Sequence, residues 1–348
     1  MTTTRSCLVG MALVLGCTPT TTGAGGATAA GLGSSSSGAI GLDTTTTASA
    51  DDTGVGTQAG SSGSEGSDPE TGSTDDNAGD SSDSGSTTEG LCTEQDECPG
   101  AVCFEGACVS VASCRELEEL DAGDVLGSGV YELDPDGEGE LPPYEAYCEL
   151  ELMGGGWTLV LKADGQSDVL GWSSELWTNE STYQPQYPDL DHHEAKLASY
   201  LHVPLSEILV GMEQPIGTDP TPSLQWLSLP IAGSSLHALI SPGTHVPTSL
   251  GRDAWKGLIA GSSLQYSCNR EGLNVISDDP AYVAQRIGII ANEAADCYWA
   301  DSRLGVGGKS GNATMYCGVD PNPTGNFAGC SPDNGDVNLP AFAVVLVR

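Results

Sequence analysis

Basic and phenylalanine side chains are the scarcest features of this 348-residue chain. It contains 11 Lys and Arg against 48 Asp and Glu, giving a formal net charge of −37, and it has only 3 Phe. Cationic side chains that neutralise phosphate drive nucleic-acid binding, so this charge balance excludes nucleic acid as a partner. The same acidity is compatible with solubility and with divalent cations.

Long apolar runs are also missing. No stretch approaches the ~18 consecutive apolar residues that a membrane-spanning helix needs, so membrane attachment is expected only through a lipid. Residues 1–17 have the outline of a secretory signal peptide, with Arg5 before a short apolar run. The end of that run, Leu13 to Cys17, resembles a bacterial lipobox. The resemblance implies cleavage before Cys17, lipid on its thiol, and a protein held at the outer membrane or cell surface. The alternative is a plain signal peptide.

Residues 18–90 contain no aromatic residue and no Lys or Arg, and consist almost entirely of Thr, Ser, Gly, Ala and Asp. A segment of this composition cannot bury enough apolar surface to offset its ordering entropy. The sequence therefore predicts an acidic, disordered linker whose ends lie roughly 50 Å apart as a flexible coil.

Cysteine is plentiful, with 12 residues in the chain. Two of them fall in residues 1–17, so an even number remains for disulfides in an exported protein. The predicted module at 91–111 is the densest part, with Cys92, Cys98, Cys103 and Cys108. Zinc is the competing interpretation, but the spacing lacks Cys-x2-Cys. Of the three pairings, we favour Cys92–Cys103 with Cys98–Cys108.

Short motifs then follow in a fixed order at the start of residues 112–348. They are Cys114, Ser128-Gly129-Val130-Tyr131, Tyr147-Cys148 and Gly154-Gly155-Gly156-Trp157-Thr158. Their order resembles the start of the fibrinogen-related C-terminal domain of fibrinogen, ficolins and intelectins. The apolar end of the chain, followed by Arg348, is similar to intelectins as well. The resemblance implies an α+β fold with a twisted, mainly antiparallel sheet, short helices and disulfide-bridged loops. It also implies a Cys114–Cys148 bridge.

Hydrophobic periodicity and turn residues predict the main elements of this domain. Short helices are expected at 115–120, at 189–197 behind a capping aspartate, and at 253–260. The predicted strands span 129–133, 144–150, 158–163, 206–212, 224–229, 285–290 and 342–348. The last of these is apolar on both faces, which is typical of an inner strand.

The region after residue 295 is loop-like in sequence and rich in oxygen ligands of the kind that calcium takes. The predicted metal ligands are Asp296, Asp301, Asp320, Asp333, Asn334 and Asp336. In fibrinogen-related lectins this region holds calcium beside a cysteine-bridged loop, and in intelectins calcium coordinates a vicinal diol of the glycan. The present sequence departs from both patterns, because it has no Asp-rich run before a cysteine and no histidine after His245. The alternative is that these residues form turns.

Tyr298 and Trp299 are the candidate ligand-stacking residues, because aromatic rings offer a flat surface to the apolar face of a sugar. Asn312 is a further candidate ligand contact. Core packing is the alternative. Both aromatics adjoin Cys297, for which we favour a bridge to Cys268, leaving Cys317 to pair with Cys330.

Enzyme signatures are not apparent. The sequence has no Gly-x-Ser-x-Gly elbow, no phosphate-binding Gly-rich loop and no His-Glu-x-x-His motif. We therefore predict a non-catalytic surface protein that binds carbohydrate, with calcium as its expected cofactor. One alternative is an adhesin or structural lipoprotein that binds another surface protein through the same loops. A weaker alternative is a glycan hydrolase.

Overall fold

A computed structural model of the protein describes residues 92–93, 97–98, 101–120, 126–137, 139–309 and 321–348. They belong to one compact unit, Ser81–Arg348. Two antiparallel sheets dominate it and the helices are short, so the expected α+β class fits only loosely and the fold is mainly sheet. No helix within these ranges is long and apolar enough to cross a membrane.

The first sheet has seven strands, and its centre is the carboxy-terminal strand. Its members are β3 (Gly129–Leu133), β4 (Tyr144–Glu149), β5 (Trp157–Asp164), β6 (Ala195–Lys196), β7 (Ile208–Glu213), β8 (Gln225–Leu229) and β15 (Phe342–Val347). The strand β15 lies between β5 and β7 and is antiparallel to both. The predicted inner position of the last strand is confirmed.

Each face of β15 supports a different core, which explains its uninterrupted apolar sequence. Ala343, Val345 and Val347 belong to the main core, whereas Val344 and Leu346 belong to a second core on the opposite face. Alternate residues of a strand point to opposite faces, so both sets are buried at once.

The second sheet has six strands and forms the other wall of the main core. In spatial order they are β14 (Val337–Pro340), β13 (Gly325–Ala328), β12 (Ser302–Gly308), β11 (Ala284–Asn292), β10 (Ser267–Ile276) and β9 (Val246–Pro247). The strand predicted at 285–290 lies within β11, but the region after residue 295, which contains β12, β13 and β14, was predicted to be loop-like. The sequence signal fails here because glycines lie within the strands, where they normally weaken a strand prediction.

The described residues also form four short α-helices: α1 (Cys114–Leu120), α2 (Ser199–His202), α3 (Leu236–Ile240) and α4 (Arg252–Lys256). The predicted helix at 253–260 stops early, at Lys256 before Gly257, a residue with low helix propensity. Two further strands, β1 (Val102–Phe104) and β2 (Ala107–Val109), form a hairpin in the small disulfide module.

The predicted helix at 189–197 is wrong. Residues 189–194 form a loop, and Ala195–Lys196 pairs with β5 as strand β6. The Asp191 carboxylate does not cap a helix, because it accepts hydrogen bonds from the buried Lys162 ammonium and from the His193 backbone amide. A tertiary ion pair thus overrides the local capping pattern.

Four bridges join described cysteines: Cys92–Cys103, Cys98–Cys108, Cys114–Cys148 and Cys268–Cys297. These are the pairs favoured or implied by the sequence. Cys330 is also disulfide-bonded, and its predicted partner Cys317 lies outside the described residues, as does Cys17.

Candidate functional site

The loop 293–301, between β11 and β12, is held in place by the neighbouring end of β10. The β10 strand carries a bulge between Ser267 and Arg270, where Cys268 has a left-handed φ of 61°, and Cys268 is bridged to Cys297 of the loop. From the other end of β10, the Ser277 hydroxyl lies 2.8 Å from the carbonyl oxygens of both Cys297 and Tyr298. One covalent bond and several hydrogen bonds therefore fix this loop.

Two large aromatic side chains project from the fixed loop into solvent. Tyr298 is 50% exposed and Trp299 is 55% exposed. Their ring centroids lie 5.4 Å apart in an edge-on arrangement, and the Tyr282 ring lies 6.5 Å from that of Trp299. Core packing, the alternative for this pair, does not apply, because both rings are half open to water. Exposed aromatics on a rigid loop are suited to stacking against a ligand.

A group of buried oxygen atoms lies beneath this loop, at the ends of neighbouring strands. Gln265, Asn292 and Asp301 are 0%, 2% and 8% exposed. The Gln265 amide nitrogen donates to the Glu293 carboxylate at 3.2 Å, while its Oε1 has no hydrogen-bond donor in the described part of the chain. The same holds for Oδ1 of Asn292. Buried acceptors without a donor are costly, and a bound cation would satisfy them.

The electrostatics of this group also favour a cation. Burial raises the pKa of Asp301 to about 6, the nearby Glu293 charge adds to the rise, and a hydrogen bond from Gln265 opposes it. Asp301 is thus coupled to Glu293 and Gln265, and Asn292 directly precedes Glu293 in the chain. Carboxylate and amide oxygens are the ligands that calcium takes. We call Gln265, Asn292, Glu293 and Asp301 the oxygen group.

The other predicted metal ligands are not brought together with Asp301. The Asp333 carboxylate accepts hydrogen bonds from Arg252 at 2.5 Å and from Lys256. Burial alone would raise the pKa of Asp333, but bonds from Lys256, the Leu264 amide and Arg252 outweigh it and hold the pKa well below its usual range. This carboxylate is already neutralised by two cations, so it has little charge left for a metal.

The remaining predicted ligands have local or unknown roles. Asn334 donates to the Ser262 carbonyl, and exposed Asp336 accepts from the Ser331 amide. Asp296, also exposed, accepts from the Tyr298 amide at 3.0 Å. Asp320 and Asn312 lie outside the described residues. Where the structure describes the chain, only Cys92, Cys98 and Cys108 form a group of three acidic, His or Cys ligand atoms within 4.8 Å, and all three are disulfide-bonded.

The neighbouring histidines of the His-His-Glu segment are engaged separately. His192 lies 2.6 Å from the Glu213 carboxylate, and His193 contacts Asp191 and stacks on Tyr187 with centroids 3.8 Å apart. The two rings therefore serve different partners.

Sequence reasoning missed three of the four residues in the oxygen group. Gln265, Asn292 and Glu293 carried no motif. The one available signal was the position of Asn292 and Glu293 at the end of an apolar strand, directly before the Asp-rich loop. The burial of Gln265 depends on residues far along the chain, including the Cys330 carbonyl that its amide contacts.

Comparison with known proteins gives little beyond the geometry. No family model and no curated protein matches the chain. Among solved structures, the fibrinogen-like globe domain of human ANGPTL6 matches with 18% identity and a TM-score of 0.27, covering 68% of this chain and 95% of that one. At that score the likeness carries no argument about function.

Proposed function

We propose that this protein is a non-catalytic recognition protein of the cell surface, and that it binds carbohydrate through the rings of Tyr298 and Trp299. The observation that carries the proposal is the exposure of both rings on a loop fixed by a disulfide. A preorganised loop loses little entropy on binding. Exposed aromatic rings can cover the C–H face of a sugar.

A fibrinogen-related identity of the domain rests on the places that its sequence motifs take in the fold. The Ser-Gly-Val-Tyr motif leads into β3, and Cys114 bridges to Cys148 on the neighbouring β4. Gly154 to Gly156 all have positive φ, and a Cβ on Gly155 would lie 2.2 Å from the Leu150 carbonyl. The Arg348 guanidinium lies 4.2 Å over the Trp157 ring. The Gly-Gly-Gly-Trp motif thus contacts the last residue of the chain.

Calcium is the proposed cofactor, held by the oxygen group. Asp301 and Glu293 would supply charge, and the unpaired amide oxygens of Gln265 and Asn292 would complete part of the shell. A bound calcium would keep Asp301 ionised and would stiffen the base of the loop that carries the aromatic rings. Sites of this kind outside cells bind calcium at about 10⁻⁴–10⁻³ M.

The experiment is glycan-array binding of the full chain in millimolar calcium, repeated in chelator. Trp299→Ala and Tyr298→Ala should abolish binding to every glycan that the wild-type protein retains. Met153→Ala is the matched control, because Met153 is 52% exposed on another surface, and it should bind normally. If both aromatic variants still bind the same glycans, the ligand does not bind at Tyr298 and Trp299.

The calcium proposal has its own test. Calcium should raise the melting temperature of the wild-type chain, because a ligand at 100 times its dissociation constant adds ~2.7 kcal/mol. Asp301→Asn should remove this rise, whereas Asp333→Asn should keep it despite lower stability. An unchanged rise in Asp301→Asn would place calcium elsewhere.

A protein partner is the second candidate, because the same exposed aromatics would serve a protein interface. Binding to a surface protein that survives both chelation and competition by sugars would favour it. Release of reducing sugar by the full chain would instead favour a hydrolase.

A further inference from the structure

Acidic residues adjoin the aromatic patch, which we define as Tyr282, Tyr298 and Trp299. Asp279 and Asp296 are each tied to the backbone of Tyr298: the Asp279 amide donates to its carbonyl at 3.1 Å, and Asp296 Oδ1 accepts from its amide at 3.0 Å. Asp278 precedes Asp279, so acidic side chains border the patch on two strand connections. The charge around the rings is therefore fixed by the same contacts that fix the loop.

Two cationic side chains lie near the patch. Arg270 pairs with Asp278 at 2.7 Å, and the Lys309 ammonium donates to the Pro280 carbonyl at 2.6 Å. Within the described ranges, neither Asp279 nor Asp296 forms an ion pair. Arg270 offsets Asp278, whereas Lys309 keeps its charge because a carbonyl is neutral. Asp278, Asp279 and Asp296 still outnumber these two cations, so the net charge beside the rings is negative and disfavours an anionic ligand.

Aromatic faces and carboxylates that form no ion pair favour the same kind of ligand. The face of a Trp or Tyr ring attracts a cation through its quadrupole, and a nearby carboxylate adds Coulomb attraction. A neutral sugar would gain only the stacking contribution. An acidic sugar would bind more weakly, because the carboxylates and the net charge of −37 on the chain would repel it.

We propose that the aromatic patch, Asp279 and Asp296 together select a glycan that carries a free ammonium group, that is, an unacetylated amino sugar. This inference rests on the proposed carbohydrate-binding function and narrows its ligand class. The rings stack on the sugar, and the two carboxylates face its ammonium group. Acetylation of the amine removes the charge and with it the preference.

Matched oligosaccharides test the proposal directly. The full chain is titrated calorimetrically, in constant calcium, with a glucosamine tetramer, its N-acetylated form and its N-trimethylated form. The free amine at a pH where it is protonated, and the trimethylated form at any pH, should bind about tenfold more tightly than the acetylated form. Added salt should reduce this difference, because the carboxylates are accessible to solvent.

Variants assign the effect to named residues. Asp279→Asn combined with Asp296→Asn should bring the charged and acetylated tetramers to similar affinity. Asp219→Asn, a change of another exposed carboxyl, should leave the preference intact. Trp299→Ala should weaken all three ligands.

The outcomes separate this inference from the proposed function. Equal or tighter binding of the acetylated tetramer, lost in Trp299→Ala, overturns the ammonium selection but keeps carbohydrate recognition. Binding of only neutral glycans on the array has the same meaning. No binding of any glycan overturns both.

Discussion

At the scale of single residues, Asp301 is a buried carboxyl whose surroundings oppose its ionisation. The fold buries it near the Glu293 carboxyl, and only a hydrogen bond from the Gln265 amide favours its ionised form. The Asp333 carboxylate has a different environment, because it forms ion pairs with Arg252 and Lys256. The contrast separates a carboxylate that two cations neutralise from one that pairs with no cation among the described residues, which is the one we propose as a calcium ligand.

The pH dependence of stability should reveal Asp301. Its folded pKa of about 6 lies above the ordinary 3.8, so the folded state binds more protons than the unfolded state between these values. Stability is therefore fully present below about pH 4 and falls as pH rises through about 6. In chelator at neutral pH, Asp301→Asn should be more stable than wild type by about 1–3 kcal/mol.

Urea unfolding of both proteins from acid to neutral pH measures this difference. Asp219→Asn provides the control, as an exposed carboxyl that should leave the curve unchanged. If Asp301→Asn and wild type lose stability in parallel as pH rises, the Asp301 carboxyl does not have the environment described above.

At the scale of elements, a row of glycines crosses the second sheet. Gly272 pairs with Gly288, Gly288 with Gly305, and Gly305 with Gly325, so four adjacent strands share it. At Gly305, φ is +149° and a Cβ would lie 2.1 Å from the Ile287 carbonyl oxygen. No other residue fits this position without displacing backbone.

Gly305→Ala should therefore destabilise the domain by more than about 3 kcal/mol or prevent its folding, because backbone atoms cannot move aside as side chains do. Gly127→Ala is the control, since a Cβ there meets nothing within 4 Å. Circular dichroism and urea unfolding of the two variants provide the measurement. Equal stability would mean that the strands are not packed as closely as described.

The central strand β15 gives a second prediction at this scale. Leu346 is fully buried in the second core, and Leu346→Ala should cost about 2–5 kcal/mol through lost burial and the cavity left behind. Leu141→Ala removes the same atoms from a side chain that is 38% exposed and should change stability little. Similar unfolding midpoints for the two variants would contradict the inner position of β15.

At the scale of the whole molecule, the sequence predicts a lipid anchor, an acidic linker and an exported recognition domain. The anchor depends on Cys17 alone. Wild-type protein should incorporate a palmitate analogue when it is expressed in a bacterium that processes lipoproteins, and Cys17→Ser should not, because its hydroxyl replaces the thiol that would carry the lipid. Equal labelling of the two proteins would contradict the anchor.

The fold could be predicted from the sequence where apolar periodicity is strong, and much less where it is not. Strand β3 was predicted at its observed bounds, and β15 was placed correctly in the sheet interior. The glycine-containing strands β12 and β13 were missed, because their stability comes from neighbours across the sheet rather than from local propensity. The 189–197 helix failed for a similar reason, since the buried Lys162 that engages Asp191 lies far away in sequence.

Some residues of the candidate site could likewise be predicted from the sequence, and others could not. Tyr298 and Trp299 could be found as aromatics beside a cysteine, and Asp301 as one acid among many. Gln265 and Asn292 could not, because their importance comes from burial without a donor, a property of the packed structure. Their place beneath the loop depends on which strand ends become neighbours.

Saturation-transfer difference NMR between the full chain and a glycan retained on the array tests the central claim most directly. Irradiation of aromatic protons should transfer saturation to the C–H protons on one face of the sugar, because that face stacks on Tyr298 and Trp299. The transfer should vanish in Trp299→Ala and persist in Met153→Ala. Undiminished transfer in Trp299→Ala would contradict the assignment of ligand recognition to this loop.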